Sequence, residues 1–256
     1  MFTLSTSPAE IIKVSELASK PFIQNALANP NSPHSVLSFF FGVDYNDNSS
    51  KKELRDTTTM HETMWEFWFK AYPGYDALCQ PFANVIRKAG KKELHGEWMD
   101  TVDGLMAQVI LCDQLSRNVF RGTKEAFAFD DHAIEMAEDL IAFVMDKSKI
   151  KREIQGECYP SYYCFMGVPL MHSESLEKHN KALQFLSFAR DANPQPSRYW
   201  DQQLEFAWEH TKVIERFGRY PHRNALYDRI STPEERAWLE DRENLPKWAT
   251  SQVKRN

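Results

Sequence analysis

Apolar residues along this chain recur at helical spacing and not in the strict alternation that is typical of strands. Glycine is scarce, with 9 residues in the whole chain. We therefore predict an all-α protein of about eight to eleven helices. Three predicted helical faces are the clearest, namely Leu105, Val109, Cys112 and Val119; Ile134, Ala137, Ile141 and Val144 or Met145; and Leu204, Trp208, Thr211 and Ile214.

Two segments have the sequence pattern of a helix N-terminus. Each combines a hydroxyl cap, a proline in the first turn and a glutamate three residues after the cap, as in Ser7–Glu10 and Thr232–Glu235. The breaks between helices are short, so no linker divides the chain. We predict a single-domain antiparallel helical bundle over residues 35–245, with an N-terminal extension over residues 1–34 that has one short helix and a C-terminal tail over residues 246–256.

The composition is that of a globular protein and argues against several other classes of protein. The chain has 256 residues, of which 42% are apolar and 26% charged, enough to bury a core without disulfides or metals. It shows neither a membrane span of roughly 18 apolar residues nor a secretion signal. The net charge of −5 argues against a nucleic-acid coat, and we expect neither DNA nor a membrane as a partner. The 4 cysteines form no C-x-x-C pair, so we expect reduced thiols in a cytoplasmic protein.

A first polar segment follows directly on the apolar run Leu105–Leu111. Asp113 and Arg117 are four residues apart, close enough on a helix for an ion pair, and Arg121 extends the same stripe. Such a stripe is typical either of a surface ion pair at a helix end or of a cavity wall. Because it continues a buried run, we favour the cavity.

A second segment places His172 close to Glu174. Ser173 is a plausible helix cap, which is the structural interpretation; alternatively, His172 is a base that Glu174 orients. The preceding stretch is dense in aromatic residues, among them Tyr162 and Tyr163. Such a stretch is more often core, but it can also wall a pocket for a flat or apolar side chain.

A third segment brings Arg216, Arg219, His222 and Arg223 together within eight residues. It is either a solvated basic loop or a site that binds phosphate or carboxylate through bidentate hydrogen bonds. His210 lies upstream and suits a packed core position. The chain has no H-E-x-x-H, Walker A or dinucleotide-binding motif, so we predict no metal site and no cofactor.

In this order, the three segments resemble a known family, the domains of unknown function numbered 924 (DUF924). The family's F-x-F-G pattern is matched by Phe39–Gly42, and L-x-D-Q-x-x-R-N-x-F/Y-R-G-T by Leu111–Thr123. Its H-S-E pattern is matched by His172–Glu174, and R-F-G-R-F/Y-P-H-R-N by Arg216–Asn224. The resemblance covers roughly residues 35–245 and implies a tetratricopeptide-like helical bundle.

Within the family, the chain resembles the fungal branch of arginine-containing cyclodipeptide synthases. These enzymes join the amino acids of two aminoacyl-tRNAs, one of them arginyl-tRNA, into a diketopiperazine. The resemblance therefore implies a tRNA-dependent aminoacyltransferase of natural product biosynthesis whose partners are aminoacyl-tRNAs. Leu226–Arg229 and the aromatic segment Tyr159–Phe165 depart from the commoner bacterial pattern, and we take them to favour the specialised branch.

The resemblance also implies roles for individual residues. His172 or His222 would be the base, and Ser116, Ser161 or Ser173 a nucleophile if an acyl-enzyme forms; direct attack between the two substrates is equally open. The implied catalytic residues are Asp113, Ser116, His172, Glu174 and His222. The implied substrate-binding residues are Arg117, Asn118, Arg121, Tyr162, Tyr163, Arg219, Arg223 and Asn224. Carboxylates that suit the arginine side chain are Asp113, Asp130, Glu174 and Asp228.

Two alternatives from other classes stay open. In a helical-repeat binding module, the same charged residues would hold the stack together as a buried ion-pair network. In a small-molecule hydrolase, the arginines would bind an anion and His172 with Glu174 would activate water. The sequence indicates neither the second amino acid nor the oligomeric state.

Overall fold

The computed structural model describes residues 7–70, 72–150, 152–193 and 197–250. Over these residues it contains fifteen α-helices: α1 (Pro8–Ser19), α2 (Pro21–Ala28), α3 (Pro33–Phe41), α4 (Thr57–Phe69), α5 (Pro73–Cys79), α6 (Ala83–Gly90), α7 (Glu97–Asp100), α8 (Val102–Val109), α9 (Ser116–Val119), α10 (Asp130–Met145), α11 (Pro160–Met166), α12 (Val168–His172), α13 (Leu176–Ala192), α14 (Ser197–Phe217) and α15 (Pro233–Glu240). Short 3-10 turns cover Ser50–Arg55, Gln80–Phe82, Lys124–Phe127, Lys147–Lys149, Pro221–Arg223 and Lys247–Thr250.

The all-α prediction is confirmed. The described ranges contain no strand, and their one isolated β-bridge joins Thr101 to Gln155. Both predicted capping boxes form, at Ser7 with Glu10 and at Thr232 with Glu235. The antiparallel, tetratricopeptide-like arrangement stays a prediction, as do the domain boundaries at residues 35 and 245.

The N-terminal extension differs from the expectation of one short helix, because both α1 and α2 lie within it. Pro21 begins the second helix, where its missing N–H costs nothing because the first-turn donors have no intrahelical partner. Ile23 and Ala26 of α2 are buried and α2 packs on α3. The predicted tail also packs in part, through Trp248 in the last 3-10 turn, while residues 251–256 lie outside the described ranges.

An aromatic cluster on α3 forms one part of the core. Phe40 stacks on Trp68 of α4 at 5.1 Å, and Phe165 of α11 meets Phe40 edge-on at 4.8 Å. Trp68 also donates a hydrogen bond from Nε1 to the Phe40 carbonyl at 2.9 Å. Gly42 ends α3 with φ of 68°, a left-handed conformation that glycine adopts without strain. The F-x-F-G pattern thus joins three helices and terminates one of them.

Helix α8 lies at the centre of the fold and leads into the polar segment. Every residue of α8 except Asp103 is buried, and the helix packs on α3, α7 and α10. Gly104 permits the contact with α7, since a Cβ atom there would lie 2.0 Å from the Glu97 carbonyl oxygen. This close packing fixes where the chain that follows α8 emerges.

The four cysteines are free thiols, with Cys158 half-buried and the others buried. Burial raises the pKa of each of them, which keeps the thiols protonated and unreactive near neutral pH. Among the described residues, no helix is both long enough and apolar enough to cross a membrane.

Candidate functional site

A π-helical turn over Ile110–Leu115 connects α8 to α9 and carries Asp113. Such wide turns inside helices are rare and frequently mark functional sites. All six residues of the turn are buried, and the Asp113 side chain has no exposed surface. Gln114 donates from Nε2 to Asp113 Oδ2 at 2.5 Å. The turn thus places a carboxylate inside the protein, next to donors that can stabilise its charge.

His172, the last residue of α12, bonds to this carboxylate. Its Nδ1 lies 2.7 Å from Asp113 Oδ1. Burial alone would raise the pKa of the Asp113 carboxyl, but the charges of His172 and Arg117 and the hydrogen bonds from His172 and Gln114 together hold it well below its usual range. An ionised Asp113 only accepts hydrogen bonds, so Nδ1 of His172 is the donor in this contact and Nε2 is the ring nitrogen that can exchange a proton with a ligand.

Glu174 does not orient His172, contrary to the expectation from their proximity in sequence. It accepts two hydrogen bonds from Arg229, at 2.7 and 2.9 Å, and one from the backbone N–H of Tyr220 at 2.9 Å. Residues two apart do not face each other on a helix, and Glu174 follows the end of α12. The carboxylate that orients His172 is therefore Asp113.

The predicted ion pair between Asp113 and Arg117 is confirmed, with Arg117 Nη2 3.3 Å from Asp113 Oδ1. Arg117 also donates from Nη1 to Asp130 Oδ1 at 2.6 Å and to the Ala126 carbonyl at 3.0 Å. Its guanidinium lies over the ring of Phe127, 5.2 Å from the centroid. Arg117 thus bridges two carboxylates that belong to different elements.

Arg223, from the third segment, also approaches Asp130. It ends the 3-10 turn Pro221–Arg223, and its Nη1 lies 3.5 Å from Asp130 Oδ2. The three polar segments of the sequence therefore converge on Asp130, at the start of α10, and on His172.

A pocket of about 480 Å³ opens beside this cluster. His172 and Ser173 line it, together with an aromatic side chain from Tyr227. The charged residues along its wall are Asp130, Asp131, Glu174, Arg223 and Arg229. Pockets of this size hold small-molecule ligands.

Several predicted substrate-binding residues make structural contacts elsewhere. Asn118 and Arg121 both bond to Asp76, at 2.8 Å and at 2.6 and 2.9 Å. Arg219 makes a bidentate ion pair with Glu235, at 2.6 and 2.8 Å, and Asn224 Nδ2 bonds to the same carboxylate at 3.2 Å. These four residues connect helices and loops of the fold, and none of them lies among the residues that line the pocket.

Most of the predicted tyrosines and serines also make structural contacts away from the pocket. Tyr162 is fully buried and bonds to Tyr45 at 2.8 Å and to Asp103 at 2.6 Å, while half-buried Tyr163 packs its ring on Phe185. Ser116 is buried and donates to the Cys112 carbonyl at 2.6 Å, and Ser161 donates to the Leu54 carbonyl at 2.7 Å. Of the three candidate nucleophiles, only Ser173 lines the pocket. Asp228, a candidate partner for arginine, is exposed and pairs with Lys124.

A second layer of histidines lies behind His172. The His210 ring centroid is 6.1 Å from that of His172, and the His210 ring stacks on Trp248 at 3.9 Å. Burial, followed by the charge of His172, lowers the pKa of His210 well below its usual value. Burial likewise lowers the pKa of His222, whose ring meets the edge of Trp248. His222, a predicted base, thus belongs to this second layer.

Sequence reasoning missed Asp131, Tyr227 and Arg229, which line the pocket. Asp131 follows Asp130 in the first turn of α10, and Arg229 follows the third segment. Two signals were available, namely the proximity of these residues to the recognised segments and, for Tyr227 and Arg229, the departure of Leu226–Arg229 from the commoner family pattern. Over the described part of the chain, no three potential metal ligands come close enough together to hold an ion.

The comparisons with known proteins agree with this architecture. The profile of a family described as a bacterial protein of unknown function (DUF924) matches residues 36–243. A solved structure of a protein of unknown function from Agrobacterium tumefaciens is similar at 27% identity and a TM-score of 0.56. That alignment covers 76% of this chain and 99% of the Agrobacterium chain. No curated protein matches the sequence.

Proposed function

This chain belongs to the DUF924 family of proteins of unknown function, and we propose that it is an aminoacyl-tRNA-dependent cyclodipeptide synthase that joins arginine to a second amino acid. The proposal follows the resemblance to the fungal arginine-containing branch. The observation that supports it best is the hydrogen bond of 2.7 Å between His172 and Asp113 at the wall of an open polar pocket. We also propose the cytoplasm as its location, where aminoacyl-tRNAs occur.

The proposed chemistry needs a base more than it needs a nucleophile. An aminoacyl ester is already activated, but the attacking α-amine is largely protonated near neutral pH, since its usual pKa is about 7.7–8.0. His172, held by Asp113 through Nδ1, would accept a proton at Nε2. Holding the two substrates in one pocket supplies the rest of the rate enhancement, because it makes the attack intramolecular in effect.

The reaction balances without a co-reactant. The α-amine nitrogen of one aminoacyl-tRNA attacks the ester carbonyl carbon of the other, a C–N bond forms, and the C–O bond to the tRNA ribose breaks. The ammonium form of the amine first loses one proton to solvent; His172 then takes a second proton from the nitrogen as the C–N bond forms and returns it to the leaving ribose oxygen. The free α-amine of the dipeptidyl-tRNA then attacks the remaining ester in the same way, which closes the six-membered ring and releases the second tRNA.

The arginine side chain of the substrate needs a carboxylate that is not already paired. Among the acidic residues of the pocket wall, Asp130 pairs with Arg117 and Arg223, and Glu174 pairs with Arg229. Asp131 is exposed and forms no ion pair with any described residue. Asp131 is therefore our candidate for the partner of the substrate guanidinium, where a bidentate pair can form.

The decisive experiment is mass spectrometry on extracts and medium of a bacterium that expresses the chain, with an empty-vector culture beside it. We expect a new cyclic dipeptide that contains arginine. The H172Q variant should lower its yield by about 10²–10⁴-fold, because the general base is lost. H95Q changes an exposed histidine outside the pocket and should leave the yield unchanged.

One outcome would contradict the proposed synthase activity, and another the proposed role of His172 as its base. One is soluble wild-type protein without any new cyclic dipeptide, measured under conditions in which a known diketopiperazine added to the culture is detected. The other is an H172Q culture that makes as much product as the wild type, which would leave the observed contact without a catalytic role.

One observation favours a second candidate, the helical-repeat binding module. Asp113 is wholly buried, and Arg117 lies between Asp113 and Asp130. A network of this kind can hold helices together without any chemistry. In that case neither the wild type nor H172Q would make a cyclic dipeptide, and the pocket would bind a partner instead of reacting substrates.

A further inference from the structure

Arg223 is a buried cation with few partners. The residue is 6% exposed and lines the pocket. Among the described residues, its guanidinium makes a single hydrogen bond, from Nη1 to Asp130 Oδ2 at the long distance of 3.5 Å. Its Nε is buried without any hydrogen-bond partner. Since a buried charge is costly unless it is paired and hydrogen-bonded, this arrangement is unusual.

The other arginines around the pocket are better partnered. Arg117 bonds to Asp130 at 2.6 Å and to the Ala126 carbonyl. Arg229 makes two hydrogen bonds to Glu174, and Arg219 makes two to Glu235. Asp130 therefore makes its shorter contact with Arg117 and only a longer one with Arg223. Arg223 is the cation of the pocket wall whose hydrogen-bonding capacity is least used.

Two aromatic rings hold the Arg223 guanidinium in place. It lies 4.4 Å from the centroid of Phe127 and 4.6 Å from that of Tyr220. Contacts of a guanidinium with aromatic rings restrict its position without using its N–H donors, which can still bind a ligand. Burial lowers the pKa of Arg223, which indicates that the protein itself compensates the charge only in part.

We propose that Arg223 is the oxyanion subsite of the pocket, where its fixed guanidinium edge binds a phosphate or carboxylate group of the ligand. Arginine suits this task because its planar fork matches both groups. The inference rests on the proposed function, since it names a substrate group that is held in the same pocket. In that reaction the oxyanion is a phosphate near the aminoacylated end of the tRNA.

Calorimetric titration of the purified full chain tests the subsite without tRNA. The probes are inorganic phosphate and, separately, acetate, each in a chloride buffer of constant ionic strength. The variants are R223M, which removes the charge, and R223K, which keeps the charge but loses the fork. R216Q is the matched control, because Arg216 is an exposed arginine that pairs with Glu234 and does not line the pocket.

We expect saturable binding of at least one probe to the wild type and to R216Q, and affinity at least about tenfold lower in both Arg223 variants. Tighter binding of phosphate would identify a phosphate ester as the ligand, and tighter binding of acetate would identify a carboxylate. Wild-type protein that binds neither probe would overturn the inference. So would R223K with wild-type affinity, a comparison that stays available if R223M does not fold.

The outcome is separable from that of the proposed function. Phosphate binding that depends on Arg223, in a protein that makes no cyclic dipeptide, would support the subsite and count against the synthase. Wild-type yields of cyclic dipeptide from R223M would support the synthase and overturn the subsite.

Discussion

The Asp113 carboxylate is the most constrained charged group of the pocket region. It is wholly buried, and it accepts hydrogen bonds from His172 and Gln114 while Arg117 lies 3.3 Å away. Each donor stabilises the ionised form against the cost of burial. The same carboxylate thus holds the basic histidine in one orientation and neutralises part of the charge of Arg117.

Replacing Asp113 with asparagine should affect both stability and activity. D113N keeps the shape of the side chain but removes the charge that His172 and Arg117 face, so we expect a loss of about 3 kcal/mol in the free energy of unfolding. Chemical denaturation measures this loss, and the yield of cyclic dipeptide per folded protein measures the catalytic role. D201N, an exposed aspartate on α14, should change neither quantity.

Either half of this prediction can fail independently. A D113N protein as stable as the wild type would exclude the view that the ion-pair network holds the helices together. A D113N protein that gives wild-type yields would exclude Asp113 as the residue that orients the base.

Contacts between single residues were predictable from sequence only where they are local. The Asp113–Arg117 pair follows from helical spacing and is confirmed. The contact between Asp113 and His172 joins residues that are 59 positions apart, so no local pattern reveals it. Asp76 binds both Asn118 and Arg121, yet its own sequence context carries no motif.

At the scale of elements, the contact between α7 and α8 depends on the absence of a side chain at Gly104. A Cβ atom there would lie 2.0 Å from the Glu97 carbonyl oxygen and 2.7 Å from Trp98 Cα, both of them backbone atoms. Backbone atoms cannot move aside as a flexible side chain can. The position of α8, and with it the start of the π-helical turn, therefore depends on this glycine.

We expect G104A to destabilise the protein by about 1–3 kcal/mol or more, since overpacking forces backbone shifts. Thermal unfolding of the purified variant measures the effect. G74A is the matched control, because a Cβ at Gly74 would meet only side-chain atoms of Val14, the nearest at 3.3 Å, and should change stability by less than about 1 kcal/mol. Equal melting temperatures for G104A and the wild type would contradict the assigned role.

Two helix starts were predictable from sequence, and the buried face of α14 was partly so. Ser7 and Thr232 cap their helices through local hydrogen bonds that the sequence pattern specifies. The helix cap expected at Ser173 is wrong, because Ser173 lies at the C-terminal end of α12 and α13 begins after Ser175.

The predicted face on α14 included Trp208, which is 48% exposed, whereas Gln203 is buried; the core position predicted for His210 is confirmed. Hydrophobic periodicity fails at Trp208 and Gln203 because tertiary packing decides which side of a helix is covered.

At the scale of the whole molecule, three buried histidines make the stability of the fold depend on pH. His132, His179 and His210 are 5%, 0% and 2% exposed. Burial is the main cause that lowers the pKa of each below its usual value. As the pH falls below about 6.5, the unfolded chain takes up protons at these positions that the folded protein does not bind.

The free energy of unfolding should therefore decrease as the pH falls from 7.5 to 5.5. The slope approaches about 1.4 kcal/mol per pH unit for each histidine that is neutral when folded and protonated when unfolded. Urea denaturation at several pH values measures it, and H210Q should give a shallower slope than the wild type. The buried Glu235 carboxyl, whose pKa its Arg219 partner lowers to about 2, affects stability only at more acidic pH. A pH-independent free energy of unfolding over this interval would contradict the prediction.

The convergence of three distant segments on one pocket is a property of the tertiary fold. Helix α12 packs on both α10 and α14, which brings His172 to Asp130 and to the loop that follows α14. The family resemblance indicated that the three segments belong together, but periodicity alone gave no reason for them to meet. The pocket wall then includes residues such as Asp131 and Tyr227, which only the packing of these helices identifies.

The π-helical turn at Ile110–Leu115 has a consequence for insertions and deletions. Each residue of an α-helix advances the chain by about 100° around the axis, so removing one residue from the turn would rotate α9 relative to α8. Arg117 would then face away from Asp130, and Asn118 away from Asp76. These contacts would be lost even though none of the four side chains is removed. In descendants of this gene, the length of this segment should consequently vary less than the identity of several of its apolar residues.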